Sequence, residues 1–253
     1  MSDIDVSTLG RELASNLKDI LGISSFSGQE EDREEWRRKY WNDPVSWARD
    51  HIKWPVDSKG KTKFLTNYQQ DTARRLVSNK RALMIGPRGN GKSALVSIFT
   101  IFFICTRDDF VDWKVLITAG GFRQVEKFTF PEIHKWARLL RWDRLGRKAW
   151  STRDELMRLS LRGHTGEATG AACSDPNLIE GGHASQVLVI LDEAKSVPEG
   201  VWDSIEGMLV SSGIDDREAF VLATSIPGAP SGRFYQIASQ QKDEYISCEH
   251  LLL

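Results

Sequence analysis

The chain is 253 residues long, 40% hydrophobic and nearly neutral, with 34 Lys and Arg against 35 Asp and Glu. That length and apolar content suffice for a full core, while the balanced charge points to no class of partner by itself. Three scattered cysteines (Cys105, Cys173, Cys248) give neither a disulfide framework nor a zinc spacing, and the polar start MSDIDVSTLGRELASNL is unlike a secretory signal, so a soluble intracellular protein is expected.

Residues 1–62 stand apart from the rest. An acidic run, GQEEDREEWRRKYW, leads into the tryptophan-rich PVSWARDHIKWPVDSKGKTK, which lacks strand alternation. One or two helices and an irregular connector are predicted there, packed on a main domain spanning 63–253. NYQQDTARRLVSN then reads as a helix with Asn67 as its cap. Strands predicted over 82–86, 114–119, 186–192 and 219–225 alternate with helices over 92–106, 123–140 and about 199–211. The apolar run ALVSIFTIFFIC is well short of the roughly 20 residues of a membrane helix and reads as a helix buried on all sides. LMRLSLRG (156–163) and EATGAACS (167–174) alternate more and read as an antiparallel pair at the sheet edge. The pattern is α/β, with a mainly parallel sheet covered by helices and a helical or irregular N-terminal extension.

Gly86-Pro87-Arg88-Gly89-Asn90-Gly91-Lys92-Ser93 matches the phosphate-loop pattern G-x-x-x-x-G-K-[ST], and a strand before it with a helix after it is the context that pattern needs. The glycines let the backbone wrap a triphosphate with its N–H groups, and the helix N-terminus adds a favourable dipole. Lys92 would reach the β- and γ-phosphates, and the Ser93 hydroxyl would ligate Mg2+. VLVILDEA ends a buried strand on Asp192-Glu193. Two carboxylates there are costly unless one meets a metal and the other has a task. Asp192 is expected to hold the Ser93-bound metal through water, and Glu193 to activate the attacking water.

With these motifs in place, the chain resembles the ATPase domain of the large terminase subunit, the DNA-packaging motor of tailed bacteriophages and related viruses, over roughly residues 64–235. Arg88 stands four residues before Lys92, as in that family. LTNYQQDTARRL resembles the adenine-side motif, with Tyr68 and Gln69 as base contacts. IEGGHASQVLVILDEAKSVPEGVWDSIEGML resembles the second nucleotide motif with its flanks. VLATSIPG resembles the coupling motif, in which Thr224 and Ser225 would sense the γ-phosphate.

The resemblance implies a RecA-like (ASCE) P-loop fold, ATP and Mg2+ as cofactors, and catalytic roles for Glu193, Lys92 and Arg88. It further implies double-stranded DNA, a portal protein and a small terminase subunit as partners, with no membrane. It also implies a homo-oligomeric ring, a pentamer in that family, working in the host cytoplasm. Two departures stand out. The RNase H-like nuclease domain usual in the family is not expected within these residues, and NLIEGGHAS carries Glu180 and His183 where many relatives have an arginine. A helicase-like ATPase and a nucleotide-dependent scaffold without turnover are the competing readings.

Three signals remain. Lys135 to Arg162 is a basic stretch interleaved with Trp136, Trp142 and Trp150, readable as a DNA-facing surface or as a solvated face with tryptophans turned inward. His134, His164 and His183 lack ligand spacing and read as structural. Gln124, after ITAGGF, marks either a nucleotide-responsive helix or an exposed polar position.

Overall fold

The computed structural model describes residues 26–173, 184–211, 217–229, 231–240 and 246–249. The chain divides into Met1–Lys39 and Tyr40–Leu253. In the first unit the described residues lie in α1 (Phe26–Tyr40), where Arg37 pairs with Glu34 at 2.8 Å. Within the second unit, much of residues 40–52 packs into the core, while residues 55–62 are mostly exposed. Trp47, Ala48 and Ile52 are fully buried, and the Trp47 ring meets Phe102 at 5.7 Å. Helix α2 (Pro44–His51) starts where Pro44 pre-sets the backbone and the Asp43 carboxylate accepts from the Ser46 N–H at 3.0 Å.

Seven strands form one sheet in the order β3-β4-β2-β5-β6-β1-β7. They are β1 (Arg81–Ile85), β2 (Trp113–Ala119), β3 (Ser160–Arg162), β4 (Gly166–Gly170), β5 (Gln186–Asp192), β6 (Glu218–Ser225) and β7 (Ile246–Glu249). Every pairing is parallel except β3 with β4. The expected antiparallel pair is therefore present at the sheet edge, shorter than its alternating sequence. Because β5 is buried at every position, its continuous apolar run needs cover on both faces. On one face Leu83, Val187, Val189 and Val221 pack against Val201, Trp202 and Ile205 of α6 (Glu199–Ser211) and against Phe234 and Ile237 of α7 (Arg233–Gln240). On the other lies α4 (Lys92–Arg107), buried from Leu95 to Arg107 as its unbroken apolar run predicts, with Phe103 against Phe220 at 5.6 Å. Among the described residues no helix is long and apolar enough to cross a membrane.

Helix α3 (Asn67–Asn79) buries Gln69, Thr72, Ala73, Leu76 and Val77 at helical spacing. Its cap is Thr66 rather than the expected Asn67, because Thr66 holds extended backbone while Asn67 is already helical. The predicted helix over 123–140 is not one regular helix. A short turn (Phe122–Gln124) and a π-helical segment (Val125–Thr129) precede α5 (Phe130–Ala137).

In the basic stretch the tryptophans turn into the fold while most of the cations stay exposed. Trp136 and Trp150 are buried, Trp142 packs on Trp150 at 4.9 Å, and Lys135 pairs with Glu132 at 2.8 Å. Arg158 pairs with Glu126, and Arg144 donates to the Asp50 carbonyl at 3.2 Å. His134 meets the Met157 carbonyl at 2.9 Å, a structural role.

Two charged residues anchor the sheet end remote from the phosphate loop. Arg107 is fully buried, its guanidinium lying 4.3 Å from the Trp41 ring and 4.7 Å from the Phe103 ring and donating to the Trp41 carbonyl at 2.9 Å. Burial pushes its pKa down to about 9. Next to it, Asp108 is 1% exposed and receives Arg147 at 2.6 Å, Trp113 Nε1 at 3.0 Å and the His164 N–H at 2.8 Å. Asp109 and His164 lie close enough to suggest a metal cluster with Asp108, but Arg147 already supplies the counter-charge.

Burial alone would raise the Asp108 pKa; the Arg147, Thr165 and Trp113 hydrogen bonds outweigh it and hold the carboxyl below its ordinary value. A depressed folded pKa means stability that is present above the unfolded pKa and lost as pH falls through the folded one. Asp108→Asn is therefore expected to cost about 2 kcal/mol in denaturant melts at neutral pH. The gap between wild type and variant should hold above pH ~4 and close on further acidification.

Candidate nucleotide site

Parallel strands bring their carboxyl ends to one side of the sheet, and the strand order decides what meets there. β6 lies between β1, which feeds the phosphate loop, and β5, which ends in the acidic pair. Register sets Ile85 beside Ser225 and Asp192 beside Thr224. The loop, the coupling residues and the carboxylates are thus neighbours although Lys92 and Asp192 are far apart in sequence. The Gly86 N–H donates to the Ser225 carbonyl at 3.1 Å, fixing the loop's entry to β6.

Within the loop, Gly89 and Gly91 have φ of 79° and 84°, the left-handed region that side chains disfavour. Gly91 caps α4, and Lys92 and Ser93 open its first turn. The Lys92 ammonium bonds the Gly86 carbonyl at 2.8 Å, the Pro87 carbonyl at 2.7 Å and Asn90 Oδ1 at 3.1 Å, curling back over its own loop. Burial lowers its pKa, and the nearby charges of Glu193 and Asp192 pull the other way, which puts all three groups within electrostatic reach. Arg88 is exposed and has no ion pair or hydrogen bond among the described residues.

Asp192 is 5% exposed and fully engaged. Its Oδ1 accepts from Thr224 Oγ1 at 3.1 Å and from the Glu193 N–H at 3.1 Å. Its Oδ2 accepts from Thr129 Oγ1 at 2.8 Å and Gln124 Nε2 at 3.3 Å. All four donors are neutral, and none of these bonds brings a cation to the buried carboxylate, which leaves a cation at the site chemically compatible with it. Glu193 follows with φ 51° and ψ 46°, a left-handed conformation that is strained for a glutamate. That backbone turns its side chain off the strand direction, and the side chain has no hydrogen-bond partner among the described residues. Ser225 Oγ accepts from the Lys195 N–H at 3.4 Å.

The adenine-side pair sits against the loop. Gln69 is buried, its Oε1 accepting from the Thr66 N–H at 2.8 Å and its Nε2 donating to the Gly91 carbonyl at 2.9 Å. A Cβ on Gly91 would stand 2.6 Å from Gln69 Nε2 and 3.7 Å from the Tyr68 hydroxyl. Glu180 and His183 lie outside the described residues. Gln124 is half-buried and bonds Asp192, so it is not the exposed polar position of its two readings. Thr129 was not singled out by the sequence; its one signal is a hydroxyl on the apolar side of VEKFTFPEI.

The solved structures similar to this chain include three phage terminases. The large terminase of bacteriophage HK97 matches with a TM-score of 0.56 at 14% identity, over 81% of this chain and 42% of that one. The large terminase of a thermophilic bacteriophage, in complex with ADP, matches with a TM-score of 0.52 at 13% identity, over 72% of this chain and 44% of that one. The large terminase ATPase domain of Thermus phage P74-26 has a TM-score of 0.48 at 23% identity, over 68% of this chain and 67% of that one. The first two carry the fold assignment: a mostly parallel sheet flanked by helices, in the RecA-like P-loop form of terminase ATPase domains. The chain spans less than half the length of either. No protein-family model matches the chain, and no curated protein matches it.

Gln69 ties α3 to the Gly91 carbonyl, so Gln69→Ala is expected to cost about 1 kcal/mol of stability and to loosen the loop. If Gln69 braces the loop, affinity for ADP and GDP should fall together in fluorescence titrations. A loss confined to ADP would instead mark it as a contact to the base.

Proposed function

We propose that this chain is the ATP-hydrolysing motor domain of a viral terminase large subunit, which drives double-stranded DNA into a procapsid. One observation carries the reading. In a fold shared with terminase ATPase domains, β6 brings the Lys92 loop, Thr224-Ser225 and Asp192-Glu193 to one end of the sheet. The loop backbone from Gly86 to Ser93 would cradle the phosphates, with Tyr68 and Gln69 assigned to the adenine side. Ser93 and Asp192 would hold Mg2+, which supplies charge neutralisation at the phosphates. Lys92 exchanges its loop carbonyls for phosphate oxygens. Glu193 orients and deprotonates the attacking water, and its strained backbone is what aims it away from the sheet. Arg88, exposed at the tip of the loop, reaches the γ-phosphate in cis. Thr224, bonded to Asp192, and Ser225, bonded to the loop and to the segment after Glu193, pass the state of the phosphates into β6.

In this reading the working form is a homo-oligomeric ring, a pentamer as in the family it resembles. It acts on a portal protein, with a small terminase subunit supplying the DNA, in the host cytoplasm.

Glu193→Gln should keep ATP binding and lower steady-state hydrolysis at least about 100-fold. Hydrolysis at the wild-type rate would remove Glu193 from the chemistry. Arg88→Ala should reduce kcat more than it raises KM, since an arginine engaged only at the transition state contributes to rate rather than to ground-state affinity. Packaging is tested by ATP-dependent uptake of DNA into empty procapsids with the nuclease and small-subunit partners supplied. Unwinding of a forked duplex without uptake would favour the helicase reading.

A further inference from the structure

The π-helical segment between β2 and α5 has a place in the site that the motifs do not assign. Its last hydrogen bond runs from the Phe130 N–H to the Val125 carbonyl, five residues back. Gln124 and Thr129 flank this turn, and both side chains end on the same oxygen, Asp192 Oδ2, at 3.3 Å and 2.8 Å. In an α-helix, five residues turn through about 500°, which would leave those two side chains about 140° apart. The wider π turn brings them into line. Thr129 is fully buried, and its hydroxyl is spent on this contact with only a long 3.5 Å approach to the Gln124 carbonyl as an alternative. A buried hydroxyl and a side-chain amide converging on one carboxylate oxygen, across a helical irregularity that costs regular hydrogen bonding, make a built arrangement.

We infer that Gln124 and Thr129 are positioning residues for Asp192, and that the π turn is the device that aligns them. The inference rests on the reading of Asp192 as a metal ligand. Two donors fixed on Oδ2, with Thr224 and the Glu193 N–H on Oδ1, settle the rotation of the carboxylate. Supporting hydrogen bonds of this kind orient a metal-binding carboxylate, and their loss weakens metal binding by about 10–100-fold in well-studied sites.

The test is a Mn2+ titration by electron paramagnetic resonance on the full chain saturated with ADP. Thr129→Val, which keeps the shape and removes the hydroxyl, should weaken Mn2+ binding about 10-fold or more. Thr129→Ser should restore it, and ADP affinity in EDTA should match wild type in both. Gln124→Ala, at a half-buried position that tolerates truncation, should weaken Mn2+ binding in the same direction and covers the case that Thr129→Val fails to fold. Mn2+ binding in Thr129→Val and Gln124→Ala as tight as wild type, or tighter, would overturn the inference. So would a serine variant as weak as valine. A wild type that binds ADP but no Mn2+ would overturn the metal reading of Asp192 and this inference with it.

Discussion

The buried carboxylate of Asp192 is the interaction on which the site depends. At 5% exposure it has lost nearly all of its water, and a carboxylate so placed is tolerated only when its oxygens are bonded. The fold supplies four neutral donors from three directions: the π segment ahead of α5, the coupling strand β6 and the chain's own next N–H. Each donor comes from an element that has another task. Thr224 belongs to the strand that also receives the Gly86 N–H through Ser225, so the phosphate loop and the acidic pair are two contacts on one strand. Glu193 donates to Asp192 only because its backbone adopts the left-handed conformation that also aims its side chain. Moving Asp192 would disturb all of these together.

That arrangement follows from strand order. Had β5 paired directly with β1, the carboxylates would sit against the loop with no element between them. The insertion of β6 places a polar pair, Thr224 and Ser225, between the phosphate loop and the acidic pair. The apolar faces of β5 and β6 are then committed to α6 and α7 on one side and α4 on the other, which leaves the strand ends as the place where polar groups can gather. The Asp108–Arg147 pair secures the opposite end, where the chain turns from α4 into β2.

Much of this was legible in the sequence, and the reasons are local. The phosphate loop is written in contiguous residues because its geometry needs glycine at Gly89 and Gly91 and a charged side chain at the first helical turn. The buried strands show as unbroken apolar runs, and α4 shows as an apolar run too long for a strand. What the sequence left open depends on residues distant in the chain. The contact of Gln69 with the phosphate loop depends on the Gly91 carbonyl, 22 residues away. The π turn has no residue signature, since its winding is chosen by Asp192 more than 60 positions downstream. The basic stretch from Lys135 to Arg162 read equally as interface or as packing; Asp108 draws Arg147 inward, while Arg158 pairs with Glu126 at the surface. Residues 40–62 lack strand alternation because they form the helix α2, buried at helical spacing, followed by a mostly exposed connector.

The central claim is that the Lys92 loop and the Asp192 network form one nucleotide site. The most direct measurement is a crystal structure of the chain with Mg2+ and a non-hydrolysable ATP analogue. The account predicts that the Lys92 ammonium leaves the Gly86 and Pro87 carbonyls for the terminal phosphates, with the metal between Ser93 and Asp192 and Glu193 facing the γ-phosphate. A bound analogue elsewhere on the protein, with Lys92 still on its loop carbonyls, would contradict it.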